Sequence, residues 1–256
     1  MIPVIPIAFM FLRQSTMTAE NRVRDGILIP APYRAAPDDV TVSVIIIAYN
    51  EEKRLPATLA ALGHQTRPPD EVIVVDNLSD DQTIPLSQTA GAVVATNDIF
   101  NLARSRNIGA AVSKGDLLIF LDADTVPEPT AIETMVESYR EGAVLIHTNL
   151  VTTDNHMQSM LRNSLGMIYG IIALHHPHGC FTAISRECFD KVDGYNELID
   201  SPGEDMEIGE RIFNEYGREQ IYYLKDIYAG TSARRQLEEG YFAKFRGNYW
   251  NERAIR

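Results

Sequence analysis

Cysteine is nearly missing: Cys180 and Cys188 are the only two in 256 residues. That excludes a disulfide framework, and their spacing fits no common zinc ribbon, so a reducing, cytoplasmic setting is expected. Positive charge is also scarce. With 23 Lys and Arg against 35 Asp and Glu, the net charge is −12, which excludes general nucleic-acid binding because the phosphates would be repelled. A phosphate-bearing ligand therefore needs local cations. No apolar run is long enough for a membrane span. The stretch Ile2 to Leu12 is too short and lacks the basic start of a secretory signal, and Thr18 to Asp39 is polar and proline-containing, like a tether. Internal repeats and low-complexity stretches are absent too.

What is present is ample core material, 45% hydrophobic, enough for one large α/β domain or two small ones. The centre of the pattern is Leu117-Leu118-Ile119-Phe120-Leu121 followed by Asp122-Ala123-Asp124. An uninterrupted apolar run reads as a strand covered on both faces, since a half-exposed strand would alternate. Ligands of open α/β sheets sit at the carboxyl ends of the strands, where two acids can hold a divalent cation on a diphosphate. Taken alone, the pair equally suits a solubilised strand end.

Other segments repeat the pattern. Val42 to Ile47 reads as a first strand, and a helix is expected from near Glu51, with Leu55, Leu59 and Leu62 on one face. Glu71 to Val75 reads as a second strand ending in Asp76-Asn77-Leu78-Ser79-Asp80-Asp81, and Ala92 to Ala95 as a short third. A helix is expected over Ala103 to Val112. Strands alternating with helices imply right-handed crossovers and a parallel sheet. Further on, Ile132, Met135, Val136 and Tyr139 share a helical face, Ala143 to Ile146 reads as a strand, and Met157 to Leu174 as an apolar helix of the core. His175, His176 and His178, interrupted by Pro177, read as a turn rather than a metal site. A last helix opens at Gly203-Glu204-Asp205, with Ile208, Ile212 and Phe213 at apolar positions.

Candidate roles follow from side-chain chemistry. Asp76 can accept a hydrogen bond from the imide N–H of a uracil-like base, Arg106 can carry positive charge toward a nucleotide, Tyr49 offers a stacking face and Glu51 an acceptor for ribose hydroxyls. Singly, each is as well read as scaffold: a helix cap, a surface ion pair, a core aromatic.

In order, the segments resemble family 2 glycosyltransferases of the GT-A fold, over roughly Val42 to Arg235. The resemblance is carried by Ala48-Tyr49-Asn50-Glu51-Glu52 and by Val75-Asp76-Asn77-Leu78-Ser79-Asp80-Asp81-Gln82-Thr83. It continues through Ala103-Arg104-Ser105-Arg106-Asn107-Ile108-Gly109, Asp122-Ala123-Asp124 and Val192-Asp193-Gly194-Tyr195-Asn196-Glu197. Asn77-Leu78 stands where the family often has Asp-Gly. The resemblance implies a Rossmann-like α/β/α sandwich with a mostly parallel central sheet. It implies a tether over 1–40, a transferase domain over 41–235 divided into a nucleotide half (41–126) and an acceptor half (127–235), and an aromatic and basic tail over 236–256.

It also implies the chemistry: transfer of a sugar, with inversion, from a UDP- or GDP-sugar to an acceptor hydroxyl or a lipid-linked phosphate. Asp205 maps to the family's catalytic base. Ala48, Tyr49, Asn50, Glu51, Asp76, Asn77, Arg106, Asp122, Ala123, Asp124, Arg234 and Arg235 map to donor binding, and Gly179, Cys180 and Glu204 to the acceptor region. Mg²⁺ or Mn²⁺ is expected on Asp124 and Asp122, without the family's frequent C-terminal histidine, since no His follows His178. A helix N-terminus lowers a carboxylate's pKa, so Asp205 needs an acidic or apolar setting to stay basic. In the tail, Tyr241, Phe242, Phe245 and Tyr249 fall at helical spacing, with Trp250 adjacent and Lys244, Arg246, Arg253 and Arg256 interleaved; peripheral membrane contact is expected there, with closure of the core as the competing reading.

The competing enzyme class is the haloacid dehalogenase-like phosphatases. Asp122-Ala123-Asp124-Thr125-Val126 resembles their nucleophile motif, with Asp122 as phosphoryl acceptor. That motif belongs on a first strand, whereas here several strands precede it. A non-catalytic sugar-nucleotide-binding protein leaves Asp205 unexplained.

Overall fold

The computed structural model describes residues 22–24, 27–29, 40–152, 179–199 and 203–232. Within the expected tether, Arg22–Arg24 (β1) and Ile27–Ile29 (β2) form a short antiparallel pair. The expected helix over Met157 to Leu174, the histidines 175, 176 and 178, Arg234, Arg235 and the tail lie outside the described residues.

The strands of the main sheet are β3 (Val42–Ala48), β4 (Glu71–Asp76), β5 (Val93–Thr96), β6 (Leu117–Asp122), β7 (Thr125–Pro127), β8 (Leu145–Thr152), β9 (Phe181–Ser185) and β10 (Ile221–Thr231). They lie side by side in the order β5-β4-β3-β6-β9-β8-β10-β7. The half from β5 to β6 is parallel, as the alternation of strands and helices implies. Beyond it β8 and β10 are also parallel, so the sheet is mostly parallel, as expected, with two strands reversed. Strand β9 runs antiparallel to both β6 and β8, and β7 antiparallel to β10. Parallel neighbours need a crossover. The β6–β7 connection is only Ala123-Asp124, so β7 leaves the β6 line and pairs elsewhere.

Among the described residues, six helices cover the sheet: α1 (Leu55–Gly63), α2 (Thr83–Thr89), α3 (Leu102–Val112), α4 (Ala131–Arg140), α5 (Arg186–Lys191) and α6 (Glu204–Tyr216). Strand periodicity sorts the core into two faces. Val44, Ile46, Ile119 and Leu121 pack with Leu55, Leu59 and Leu62 of α1 and Ile132 and Met135 of α4. Ile45, Ile73, Leu118 and Phe120 pack with Ala103 and Ala110 of α3, Cys188 and Phe189 of α5 and Ile208 and Ile212 of α6. Both faces of β3 and β6 are covered, which is why neither strand alternates polar and apolar residues.

The first helix begins at Leu55, not near Glu51. Asn50 adopts a left-handed φ of 52°, which the right-handed helix cannot continue, and Pro56 suits the first turn instead. Helix α3 lies unusually close to the sheet: a Cβ on Gly109 would stand 2.2 Å from Ile45 Cγ2. Only glycine permits that approach, and it sets Arg106, one turn earlier, against the strand ends. Among the described residues, no helix is long and apolar enough to cross a membrane.

Candidate active site

Two groups of side chains gather at the carboxyl ends of the parallel strands. Register aligns Ala48 with Asp76 and Ile47 with Asp122, so Asp76 and Asp122 flank β3 two strand spacings apart, roughly 10 Å.

The first group belongs to the loops after β3 and β4. Asn50 N–H donates to Ser79 Oγ (2.9 Å), and Asp80 N–H donates back to Asn50 Oδ1 (2.9 Å). Glu51 N–H donates to Thr83 Oγ1 and Glu52 N–H to Asp81 Oδ2. Asp76, only 2% exposed, accepts Ser79 N–H on Oδ2 (3.0 Å), while its Oδ1 has no hydrogen-bond partner. Asn77 is also buried; its Oδ1 accepts from Ser105 Oγ (2.6 Å), and its Nδ2 has no partner. Unpaired buried polar atoms are costly, so their persistence at a strand end points to a ligand. Leu78, where the family often has glycine, takes a left-handed φ of 63° and projects outward, 59% exposed. Tyr49 is not core: it is 48% exposed and meets Phe100 edge-to-face at 5.3 Å. Glu51 is buried, with Arg54 at 3.8 Å.

The second group is ionic and joins β6, α3 and α6. Asp122 ends β6 with its side chain partly exposed, and its backbone N–H donates to Cys180 O (3.0 Å). Ala123 O accepts from Thr58 of α1 (2.8 Å), and Asp124 is partly exposed beside it. Arg106 is buried under this corner. Its Nη1 meets Glu204 Oε1 at 2.6 Å, its Nη2 lies 3.9 Å from Asp122 Oδ1, and its guanidinium stacks 5.2 Å from the Tyr195 ring centroid. Expected to face the nucleotide, Arg106 instead holds its closest ion pair with the acid of α6.

Glu204 and Asp205 open α6 with different surroundings. Glu204 is 3% exposed, bonded to Arg106 and to the backbone N–H of Gly203 (3.1 Å). Burial works against its charge, yet Arg106 holds its pKa below the ordinary value. Asp205 is partly exposed, accepting Gly179 N–H on Oδ2 and Met206 N–H on Oδ1, both at 2.9 Å. Burial of the carboxyl, then the neighbouring Glu204 charge, raise its pKa, against opposition from Arg106 and the two backbone bonds. The desolvated, acidic setting that a base at a helix start needs is therefore present. Gly179 is fixed by contact, because a Cβ there would stand 2.7 Å from Arg106 Nη2.

Sequence reasoning missed Tyr195. Its ring packs edge-to-face on Phe120 at 5.2 Å beneath Arg106, and its buried hydroxyl has no hydrogen-bond partner. The available signal was a tyrosine where the family's turn has phenylalanine. Asn107 was likewise overlooked; it holds that turn by exchanging hydrogen bonds with the Tyr195 backbone, both at 2.9 Å.

The Glycosyl transferase family 2 model matches residues 43–193. An undecaprenyl-phosphate 4-deoxy-4-formamido-L-arabinose transferase of Aeromonas hydrophila is 37% identical over 118 residues, covering 42% of this chain and 36% of that protein. The chain spans about a third of the length of the curated relatives it first matches, 28 to 36%. Staphylococcus aureus TarS (residues 1–349) has a TM-score of 0.61 at 20% identity, covering 78% of this chain and 62% of that one. Glucosyl-3-phosphoglycerate synthase of Mycobacterium tuberculosis, solved with Mn²⁺, UDP-glucose and phosphoglyceric acid, has a TM-score of 0.59 at 19% identity, covering 80% of this chain and 76% of that one. At such identities these two structures show the fold. The family match runs through Asp122-Ala123-Asp124, which sets aside the phosphatase reading, and the chain belongs to glycosyl transferase family 2.

Proposed function

We propose that this chain transfers a sugar from a nucleotide-diphosphate sugar to an acceptor hydroxyl, inverting the anomeric carbon, with Asp205 as general base. The observation that carries the reading is the division of labour at the start of α6: Glu204 is enclosed and ion-paired, while Asp205 is partly exposed and its pKa is raised by burial and by the Glu204 charge. The Asp205 carboxylate takes the acceptor proton as the acceptor oxygen bonds to the anomeric carbon. The bond from that carbon to the diphosphate oxygen breaks, and its electron pair leaves with the diphosphate. No covalent intermediate is needed.

In the donor half, Asp76 Oδ1 accepts a base N–H, Tyr49 offers its exposed face, and Ala48 to Glu51 line the ribose side. UDP is favoured over GDP by the bound donors of the solved neighbours, UDP-glucose in the mycobacterial synthase and UDP-GlcNAc in TarS. Asp122 and Asp124 are hard oxygen ligands that suit Mg²⁺ or Mn²⁺. A metal held by Asp122 and Asp124 would draw on phosphate oxygens of the donor as further ligands. When bound, the metal neutralises charge on the departing diphosphate.

Several relatives are named for undecaprenyl-phosphate acceptors. A phosphate acceptor arrives ionised and needs no base, so a basic Asp205 favours a hydroxyl. A lipid-linked phosphate is the second reading, and peripheral membrane contact through 236–256 belongs with it.

Calorimetry with UDP, GDP and other nucleotide diphosphates, with and without Mn²⁺, tests the donor half, and a product assay on donor plus hydroxyl acceptors tests the chemistry. Metal-dependent UDP binding with product of inverted anomeric configuration is expected. Binding of no nucleotide diphosphate, together with turnover of a phosphate monoester, would return the phosphatase reading.

A further inference from the structure

The contacts of Arg106 lead mainly to the base. Its guanidinium is buried, with Nη1 on Glu204 Oε1 at 2.6 Å, Nη2 3.5 Å from Gly179 O and the Tyr195 ring below, while Nη2 also lies 3.9 Å from Asp122 Oδ1. Gly179 in turn donates its N–H to Asp205 Oδ2. Glu204 has both oxygens engaged, one by Arg106 and one by Gly203 N–H, and almost no exposure. It stands next to Asp205 in sequence and raises the energy of the ionised Asp205.

We propose, building on the sugar-transfer reading, that Arg106 is a positioning residue: it cancels the buried Glu204 charge and braces Gly179, so that Asp205 is the one carboxylate free to take the acceptor proton. The groups facing Asp205 are Glu204 on its own helix, Arg106 from α3, Tyr195 from the turn after α5 and the Gly179 N–H, with Asp122 beyond Arg106. Two like charges side by side in low dielectric compete for one proton. Without the cation, Glu204 and Asp205 would share a proton at neutral pH, and the base would be occupied. With the cation but no Glu204, Asp205 would face a positive charge offset only by the partly exposed Asp122, 3.9 Å from Arg106, and lose basicity. The pair therefore sets the base between two failures.

The test compares Arg106→Met, Glu204→Gln and the double variant R106M/E204Q, reading UDP affinity with Mn²⁺ and the pH dependence of transfer. Arg106→Met is expected to lose about 10²-fold in transfer at neutral pH and to regain it as pH rises, because the acid limb moves up. In Glu204→Gln that limb moves down. The double variant returns the limb near wild type and recovers at least about tenfold over Arg106→Met. Donor affinity stays within about threefold throughout, a change worth less than 1 kcal/mol.

A double variant as impaired as the single, acid limbs that move together, or donor affinity falling in step with transfer would overturn the proposal and return Arg106 to the donor site. If Arg106→Met does not fold, Glu204→Gln and the double variant decide by the direction of their limbs. If the wild-type chain transfers from no nucleotide sugar, the sugar-transfer reading fails; NMR titration of the Asp205 carboxyl in the same variants then decides the charge relation alone.

Discussion

The loops after β3 and β4 are held by single hydrogen bonds without an ion pair between them, many spanning about thirty residues, such as Asn50 with Ser79 and Asp80, and Glu51 with Thr83. The cluster of Arg106, Asp122, Glu204 and Asp205 is held by buried charge, across separations such as the 98 residues from Arg106 to Glu204. Each bond in the first region is modest, about 1 kcal/mol net, and replaceable by water. In the second, every charge is stable only because another is present, and removing one exposes the cost of the rest. A surface that recognises a flat base tolerates the first kind of construction. A group that moves a proton needs the second, because basicity is set by the charges and burial around it.

The largest expected effect breaks the ionic region. Arg106→Met leaves Glu204 buried and unpaired, and a loss of about 3–5 kcal/mol in unfolding free energy is expected by denaturant titration. R106M/E204Q, which removes both charges, is expected to recover most of that. Next comes the chemistry: Asp205→Asn lowers transfer by about 10²-fold, about 2.7 kcal/mol of barrier, while calorimetric UDP binding persists. In the wild type, transfer falls as the medium is acidified through the raised Asp205 pKa, so the acid limb lies above the ordinary value of 3.8. Asp124→Ala is expected to abolish the Mn²⁺-dependence of UDP binding, the measurement that separates it from Asp205→Asn.

In the hydrogen-bonded region, Asp76→Ala removes one acceptor, and UDP affinity is expected to fall about tenfold with its Mn²⁺-dependence intact. The smallest effect has the opposite sign. Tyr195→Phe keeps the ring under Arg106 and removes a buried hydroxyl without a partner, so a gain of about 1 kcal/mol in stability is expected, read as a higher denaturant midpoint at unchanged slope.

Much of the fold around the candidate site was legible in advance. Val42 to Ile47 and Leu117 to Leu121 are strands whose lack of alternation announced burial on both faces, and the acids after them lie at the strand ends. The helical faces of α1 and α4 followed from spacing, since Leu55, Leu59, Leu62, Ile132 and Met135 are all buried. The error was at a boundary: Asn50 delayed the first helix through a left-handed φ that periodicity does not encode, whereas the reversed β9 lies in a sheet that stays mostly parallel.

By itself the sequence determined what is local: which segments form strands and helices, which face each buries, and that acids stand at the ends of β4 and β6. Those properties depend on spacings of two to four residues, within which side-chain direction follows the backbone period. Only the tertiary structure set the different surroundings of the two adjacent acids that open α6. Glu204 and Asp205 are neighbours in the chain, but one meets Arg106 of α3 and the other the Gly179 N–H. Charge acts through space, over a few ångströms and in proportion to burial, and neither quantity is written in the order of the residues.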